Sequence, residues 1–172
     1  MGGGKERFAG LSITSFRQRE EAKHLEETTM KAIQIHGKHD ARYEEIPDPT
    51  YGPDEVLIRV KAAALCGTDL ELYDGTMFYL TSGMAKLPVV PGHEWSGEVI
   101  AVGEEVDEFQ PGDRVTGECS VGCLHCEYCK KGWYNQCPNR TETGILNRQG
   151  GMAELIAFPK LFLHKCNAMK FD

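Results

Sequence analysis

The chain has 172 residues and a formal net charge of −7, with 19 Lys and Arg against 26 Asp and Glu. This acidic balance argues against nucleic acid or an anionic membrane as the main partner, because both bind a basic face. The length suits one domain with an extension rather than two full-sized domains. No run approaches the roughly 20 apolar residues that span a bilayer, and the N-terminus lacks the apolar core of a signal peptide. A cytoplasmic protein is therefore expected.

Residues 1–29 predict a polar N-terminal extension, because three glycines lead into a charged stretch without an apolar stripe. A folded pattern starts at Met30. Residues 31–35 alternate as a strand does, and residues 42–46 can pair with them after a polar turn. Residues 55–61 alternate in the same way and predict a third strand.

The middle and end of the chain predict a short helical piece over residues 70–73 and several further strands. These strands are expected at residues 98–102, 114–116 and 152–158, separated by glycine turns. The pattern predicts a mainly β fold with short helices, an α+β chain built on a partly closed barrel. No Gly-x-Gly-x-x-Gly follows a strand and no βαβ alternation is visible, so a Rossmann domain is not expected.

Four of the seven cysteines have the spacing of a metal site. Cys123, Cys126, Cys129 and Cys137 follow the pattern C-x2-C-x2-C-x7-C, which lets a short lobe close a cage of thiolates around one Zn²⁺. Disulfides are less favoured, because the seven cysteines cannot all pair and the chain shows no secretory signal. Scattered core cysteines would not produce this spacing. Since a cage of four thiolates has no open position, this zinc should be structural rather than catalytic.

A second candidate site combines Cys66 with His93 and Glu94. One sulfur, one nitrogen and one oxygen ligand form a mixed set that leaves room for a water or an alcohol on zinc. Each residue also has an ordinary explanation. Cys66 could be a buried thiol, and the adjacent His93 and Glu94 could be surface residues. The residue types alone leave both possibilities open.

Several motifs occur in an order that resembles the zinc-dependent medium-chain dehydrogenases, the family of alcohol, polyol and threonine dehydrogenases. They are Gly92-His93-Glu94 with Gly97, Gly103 and Val106, the Cys66–Asp69 element, the four-cysteine lobe, Gly112–Val115 and Gly150–Glu154. The similarity covers about residues 30–172. It implies the GroES-like barrel that forms the catalytic domain of the family, with the structural zinc lobe at residues 119–140.

The resemblance also implies roles for individual residues. Cys66, His93 and Glu94 would bind a catalytic zinc. Thr68 would receive the proton of the substrate alcohol, although from its residue type it could equally cap a helix. Asp69 would support the liganding histidine.

Some features depart from the family pattern. Alcohol and polyol dehydrogenases commonly have a histidine five residues after the position of Cys66, where it finishes a proton relay. Here that residue is Glu71, whose carboxylate could also shuttle a proton. Family members continue into a Rossmann domain that binds NAD(P), and a further zinc ligand normally lies just past the position of Asp172. These departures predict a truncated dehydrogenase that is inactive alone.

The leading hypothesis is the catalytic half of a zinc-dependent, NAD(P)-linked oxidoreductase that acts on the CH–OH group of a secondary alcohol or polyol. The resemblance is strongest to threonine and sorbitol dehydrogenases, and it implies a small-molecule substrate and the homo-oligomers typical of the family. The alternative is a non-catalytic, zinc-stabilised module, or a truncated by-product, used for protein contact. Zinc content measured together with NAD(H) binding separates the two.

Overall fold

The computed structural model describes residues 28–166. The extension predicted over residues 1–29 lies outside this range except for Thr28 and Thr29. Strands make up most of the regular secondary structure in this range, which confirms the predicted mainly β fold. None of the helices between Thr28 and Cys166 is long and apolar enough to cross a bilayer.

Within the described range the chain forms ten strands, three α-helices and two 3₁₀ helices. The strands are β1 (Thr29–Gly37), β2 (Asp40–Pro47), β3 (Glu55–Ala64), β4 (Glu94–Val102), β5 (Arg114–Gly117), β6 (Ser120–Val121), β7 (Thr141–Thr143), β8 (Asn147–Arg148), β9 (Leu155–Pro159) and β10 (Leu163–Lys165). The α-helices are α1 (Gly67–Asp74), α2 (Phe78–Thr81) and α3 (Glu127–Lys130), and the 3₁₀ helices are Tyr134–Gln136 and Lys160–Phe162.

A five-stranded antiparallel sheet in the order β10-β5-β4-β3-β9 forms the centre of the domain. The β1–β2 hairpin lies against it, joined through a bridge between Ala32 and Ala153. The register of β3 and β4 shifts at two places, and such bulges bend a sheet towards a barrel. At Gly97 the two strands approach so closely that a Cβ would lie 2.5 Å from the carbonyl oxygen of Arg59. Only glycine fits there.

The main hydrophobic core lies under this sheet. Val56, Ile58 and Phe158 are fully buried, and the rings of Trp95 and Phe158 meet edge to face at 5.2 Å. A smaller cluster contains Ile35, Val89 and Ile145 together with the fully buried Leu72. Because Leu72 belongs to α1, this second cluster anchors the helix that begins directly after Cys66.

The structure corrects the starts of two strands and adds short elements that the sequence did not predict, namely β6, β7, β8, β10, α2, α3 and both 3₁₀ helices. Strand β4 begins at Glu94 rather than at residue 98, because Trp95, Ser96 and Gly97 are all buried and give no alternating pattern. Strand β9 begins at Leu155 rather than at residue 152. Helix α2 has no predicted counterpart. It is four residues long and no side chain caps its N-terminus, so the sequence carries no start signal for it.

Candidate metal centres

The mixed site forms where two neighbouring strands meet the start of α1. Cys66 is the N-cap of α1, just past the end of β3, and His93 directly precedes Glu94, the first residue of β4. The pairing of Ala64 with Glu94 at the end of the β3–β4 register brings these segments together. One ligand atom from each of Cys66, His93 and Glu94 lies within 4.8 Å of the other two.

Asp69 joins both segments of this site. Its carboxylate is buried, with the residue 4% exposed. The backbone N–H of Cys66 donates to Oδ2 at 2.8 Å, and the backbone N–H of Gly92 donates to Oδ1 at 3.1 Å. The Nδ1 atom of His93 lies 3.9 Å from Oδ1, beyond hydrogen-bond distance. Asp69 therefore positions the ligand-bearing backbone on both sides of the site.

The surroundings of the mixed site fit a metal ion. The side chain of His93 is only 11% exposed, and its Nδ1 atom is buried without a hydrogen-bond partner among residues 28–166. A buried imidazole nitrogen without a hydrogen-bond partner is costly, and binding of a metal ion by the ring would offset this cost. Cys66 is half-buried and Glu94 is exposed, so one side of the site is open. An open side is typical of a catalytic rather than a structural zinc site.

Thr68 and Glu71 both lie on α1 but differ in solvent exposure. Thr68 is half-buried inside the helix, and Cys66 occupies the N-cap position, so the alternative of Thr68 as a helix cap is wrong. Glu71 is exposed, and its carboxylate is not among the groups that gather within 4.8 Å at the mixed site. The part of the chain that the structure describes gives this carboxylate no ion pair, so its role in a relay stays a prediction.

The four predicted cysteines of the lobe also come together. Their sulfur atoms all lie within 4.8 Å of one another, and none of the seven cysteines forms a disulfide. The Sγ atoms of Cys126 and Cys137 are 3.7 Å apart. Zn–S bonds of about 2.3 Å in a tetrahedron give sulfur separations of about 3.8 Å, so the spacing fits zinc. Cys129 and Cys137 are buried, which leaves little access for water.

The backbone of the lobe favours a thiolate at its first cysteine. Hydrogen bonds from the backbone N–H groups of His125 and, to a smaller extent, Cys126 lower the pKa of Cys123 to about 6. Burial has the opposite effect on Cys129 and raises its pKa to about 12. A divalent cation among the four sulfurs would offset this cost, because it stabilises every thiolate that binds it.

A polar network that the sequence did not indicate joins the lobe to α2. Arg140 donates through Nε to Oε1 of Glu142 at 2.7 Å and through a terminal nitrogen to the hydroxyl of Tyr79 at 2.9 Å. The Tyr79 hydroxyl lies 3.2 Å from the same carboxylate oxygen. Tyr79 and Arg140 are 61 residues apart, and neither belongs to a recognisable motif, so no local signal could have predicted their contact.

Comparison with known proteins agrees with this architecture. The model of the alcohol dehydrogenase GroES-like domain matches residues 52–168. The L-threonine 3-dehydrogenase of Edwardsiella ictaluri is 40% identical over 115 residues, which cover 67% of this chain and 33% of that protein. The sorbitol dehydrogenase of Bacillus subtilis is 42% identical over 116 residues, covering 67% of this chain and 32% of that protein.

A solved structure, the alcohol dehydrogenase TADH from Thermus sp. ATN1, superimposes with a TM-score of 0.68 at 35% identity and covers 79% of this chain and 40% of that chain. The chain spans about a third of the length of the curated relatives named above. The fold, the order of the motifs and these similarities are those of the medium-chain alcohol dehydrogenase family. This chain belongs to the alcohol dehydrogenase GroES-like domain family.

Proposed function

We propose that this chain is the catalytic half of a zinc-dependent, NAD(P)-linked dehydrogenase that oxidises a secondary alcohol or polyol. The observation that carries the proposal is the convergence of Cys66, His93 and Glu94 within 4.8 Å, next to a buried Asp69 that binds the backbone of Cys66 and Gly92. The similarity to an L-threonine 3-dehydrogenase and a sorbitol dehydrogenase supports the substrate class. We also propose that the protein forms homo-oligomers and is located in the cytoplasm, where thiols stay reduced.

Cys66, His93 and Glu94 would hold the catalytic zinc, which when bound polarises the alcohol oxygen as a Lewis acid. NAD(P), held in this family by a separate Rossmann domain, would accept the hydride. The Thr68 hydroxyl accepts the alcohol proton. Glu71 follows three residues later on α1, so the two side chains share a helix face and the proton can pass outward to an exposed carboxylate.

Asp69 holds the backbone of Cys66 and Gly92 in place while these proton transfers occur. The lobe would bind a second, structural zinc through Cys123, Cys126, Cys129 and Cys137. A closed set of four thiolates stabilises the fold without contacting substrate. The two centres therefore have separate tasks, and their metals can be tested separately.

Metal analysis of the purified chain tests the proposal. We expect two zinc ions per chain, one of which is lost in both Cys66→Ser and His93→Ala while the lobe zinc remains. Joined to the coenzyme domain of a relative, the chain should reduce NAD(P) in the presence of a secondary alcohol. A single zinc per chain that both variants retain would reject the catalytic site and favour a zinc-stabilised module without catalysis.

A further inference from the structure

One pocket of the domain is lined by none of the candidate metal ligands. Its volume is about 470 Å³, and it opens between the β1–β2 hairpin, the start of β3 and strand β9. Its lining includes Arg148, Glu55 and Gln34 and none of the seven candidate zinc ligands. The volume falls within the roughly 300–1,000 Å³ typical of small-molecule sites.

Arg148 is fixed in this pocket by two contacts. Its Nε donates a hydrogen bond to the hydroxyl of Thr141 at 3.0 Å. The central carbon of its guanidinium lies 5.6 Å from the centroid of the fully buried Phe158 ring. A guanidinium held against an aromatic ring loses little further freedom when it binds a ligand, so Arg148 is prepared for a planar anionic partner.

The charge of Arg148 is not balanced by an ion pair. Arg42 and Arg140 pair with Asp40 and Glu142 at 2.6 and 2.7 Å, but within residues 28–166 no carboxylate lies within 4.0 Å of Arg148. Burial lowers the pKa of the Arg148 guanidinium, and the negative charge of Glu55 offsets this only in part. A partly desolvated cation without a bound anion is costly, so an entering carboxylate would be stabilised.

Glu55 gives the pocket a second, opposite charge. One of its carboxylate oxygens accepts the backbone N–H of Gly52 at 2.9 Å, which holds the side chain in place. Gln34 adds a half-buried amide to the same lining. A ligand with a carboxylate alone would meet repulsion from Glu55, whereas an added ammonium group would turn that repulsion into attraction.

We propose that this pocket is a binding site for a small amino-carboxylate of the α-amino-acid type. The carboxylate of the ligand pairs with the terminal nitrogens of Arg148, and its ammonium group faces Glu55. The site is independent of the proposed dehydrogenase reaction, because it shares no residue with the mixed metal centre.

Nuclear magnetic resonance on the zinc-loaded 172-residue chain tests the proposal, with glycine as the probe. Millimolar glycine should shift the Arg148 Nε–H resonance and the backbone amide resonance of Gly150, which also lines the pocket and is kept in every variant, in a saturable way. Arg148→Gln should weaken binding about tenfold or more, the effect of losing one charge-assisted pair. The matched control is Arg59→Gln, which removes an exposed arginine outside this pocket and should bind glycine as the parent does.

Acetate and inorganic phosphate separate the ligand classes. Both should bind the parent chain several-fold more weakly than glycine, and Glu55→Gln should weaken glycine and strengthen acetate. The proposal is overturned by the absence of a saturable shift, by glycine binding that survives Arg148→Gln, or by acetate or phosphate binding as tightly as glycine. If Arg148→Gln does not fold, Glu55→Gln tests the proposal alone. This variant must then bind glycine more weakly and acetate more tightly than the parent chain does.

Discussion

Asp69 shows how one side chain can organise the mixed centre without belonging to its ligand set. It accepts backbone N–H groups from Cys66 and from Gly92, and these two residues lie on separate segments. These two N–H groups satisfy both oxygens of the buried carboxylate. The orientation of Cys66 and His93 therefore depends on a residue three positions after the first of them.

Asp69→Asn is expected to disturb both stability and metal binding. An amide offers only one acceptor oxygen, so one of the two backbone N–H groups would face an NH₂ group and remain unsatisfied. We expect a loss of about 2–3 kcal/mol in the free energy of unfolding, together with reduced zinc at the mixed centre, measured by thermal unfolding and metal analysis.

Asp74→Asn is the matched control for this variant. Asp74 lies at the other end of α1 and makes an exposed contact with His39 at 3.0 Å. Surface changes of this kind usually alter stability by less than about 0.5 kcal/mol. Equal zinc content and equal stability in the two variants would show that Asp69 does not hold the site together.

Thr68 provides a second prediction at this scale. If its hydroxyl takes the alcohol proton, Thr68→Ala in a protein carrying the coenzyme domain should lower turnover by roughly 10²-fold, the usual size of a lost proton-transfer group. Thr68→Ser keeps the hydroxyl and should restore most of the activity. Equal turnover of the Ala and Ser variants would reject the proton path, whereas unchanged zinc content in both would show that the metal centre is intact.

The lobe is the element with the clearest structural task. It combines strand β6, helix α3 and the 3₁₀ helix Tyr134–Gln136. These elements are too short to form a core of their own, so we expect a zinc ion bound by the four cysteines to stabilise them. The Tyr134 ring meets the buried Phe162 ring edge to face at 5.1 Å, which joins the lobe to the main core.

Cys137→Ser should release the lobe zinc and lower the thermal stability of the whole domain. Structural zinc supplies on the order of 10 kcal/mol in small peptides, so even a fraction of this energy would be visible in thermal unfolding. Zinc at Cys66 should remain. Cys166→Ser is the matched control, because Cys166 is a free thiol outside both clusters. Loss of both metals from a Cys137→Ser chain that stays folded would contradict a purely structural lobe.

Across the whole molecule the two centres differ in access and in ligand number. The mixed centre gathers three candidate ligands, one of them exposed, whereas the lobe gathers four thiols, two of them buried. Fewer bonds must break to release a metal from an open site, and thiolates bind zinc strongly. The two zinc ions should therefore leave the protein at different rates.

A mild chelator should remove zinc in two phases, with the mixed centre emptied first. The release can be followed with a colorimetric zinc indicator. Cys66→Ser and His93→Ala should each abolish the fast phase and leave the slow phase intact. The expected order of zinc release would be wrong if the lobe zinc left first, or if both variants kept the fast phase at its full amplitude.

The longer strands of the fold could be predicted from local patterns, whereas β6, β7, β8, β10 and most of the short helices could not. The alternation over residues 31–35 and 42–46 predicted the β1–β2 hairpin, and the structure confirms the pairing. The start of β4 was missed because Trp95, Ser96 and Gly97 are all buried, so this part of the strand shows no alternation of buried and exposed residues. Helix α2 was missed because four residues without a cap have too little propensity to stand out.

The sequence by itself determined which residues can bind metal, because ligand chemistry and spacing are properties of the chain. It also determined the family, through motifs that the comparisons confirm. The tertiary structure alone decided that the carboxylate of Asp69 binds the backbone of Gly92, that the mixed centre is open on one side, and that Arg148 lies in a pocket with Glu55. These contacts join residues far apart in the chain, and their geometry depends on strand register and burial, which no local pattern encodes.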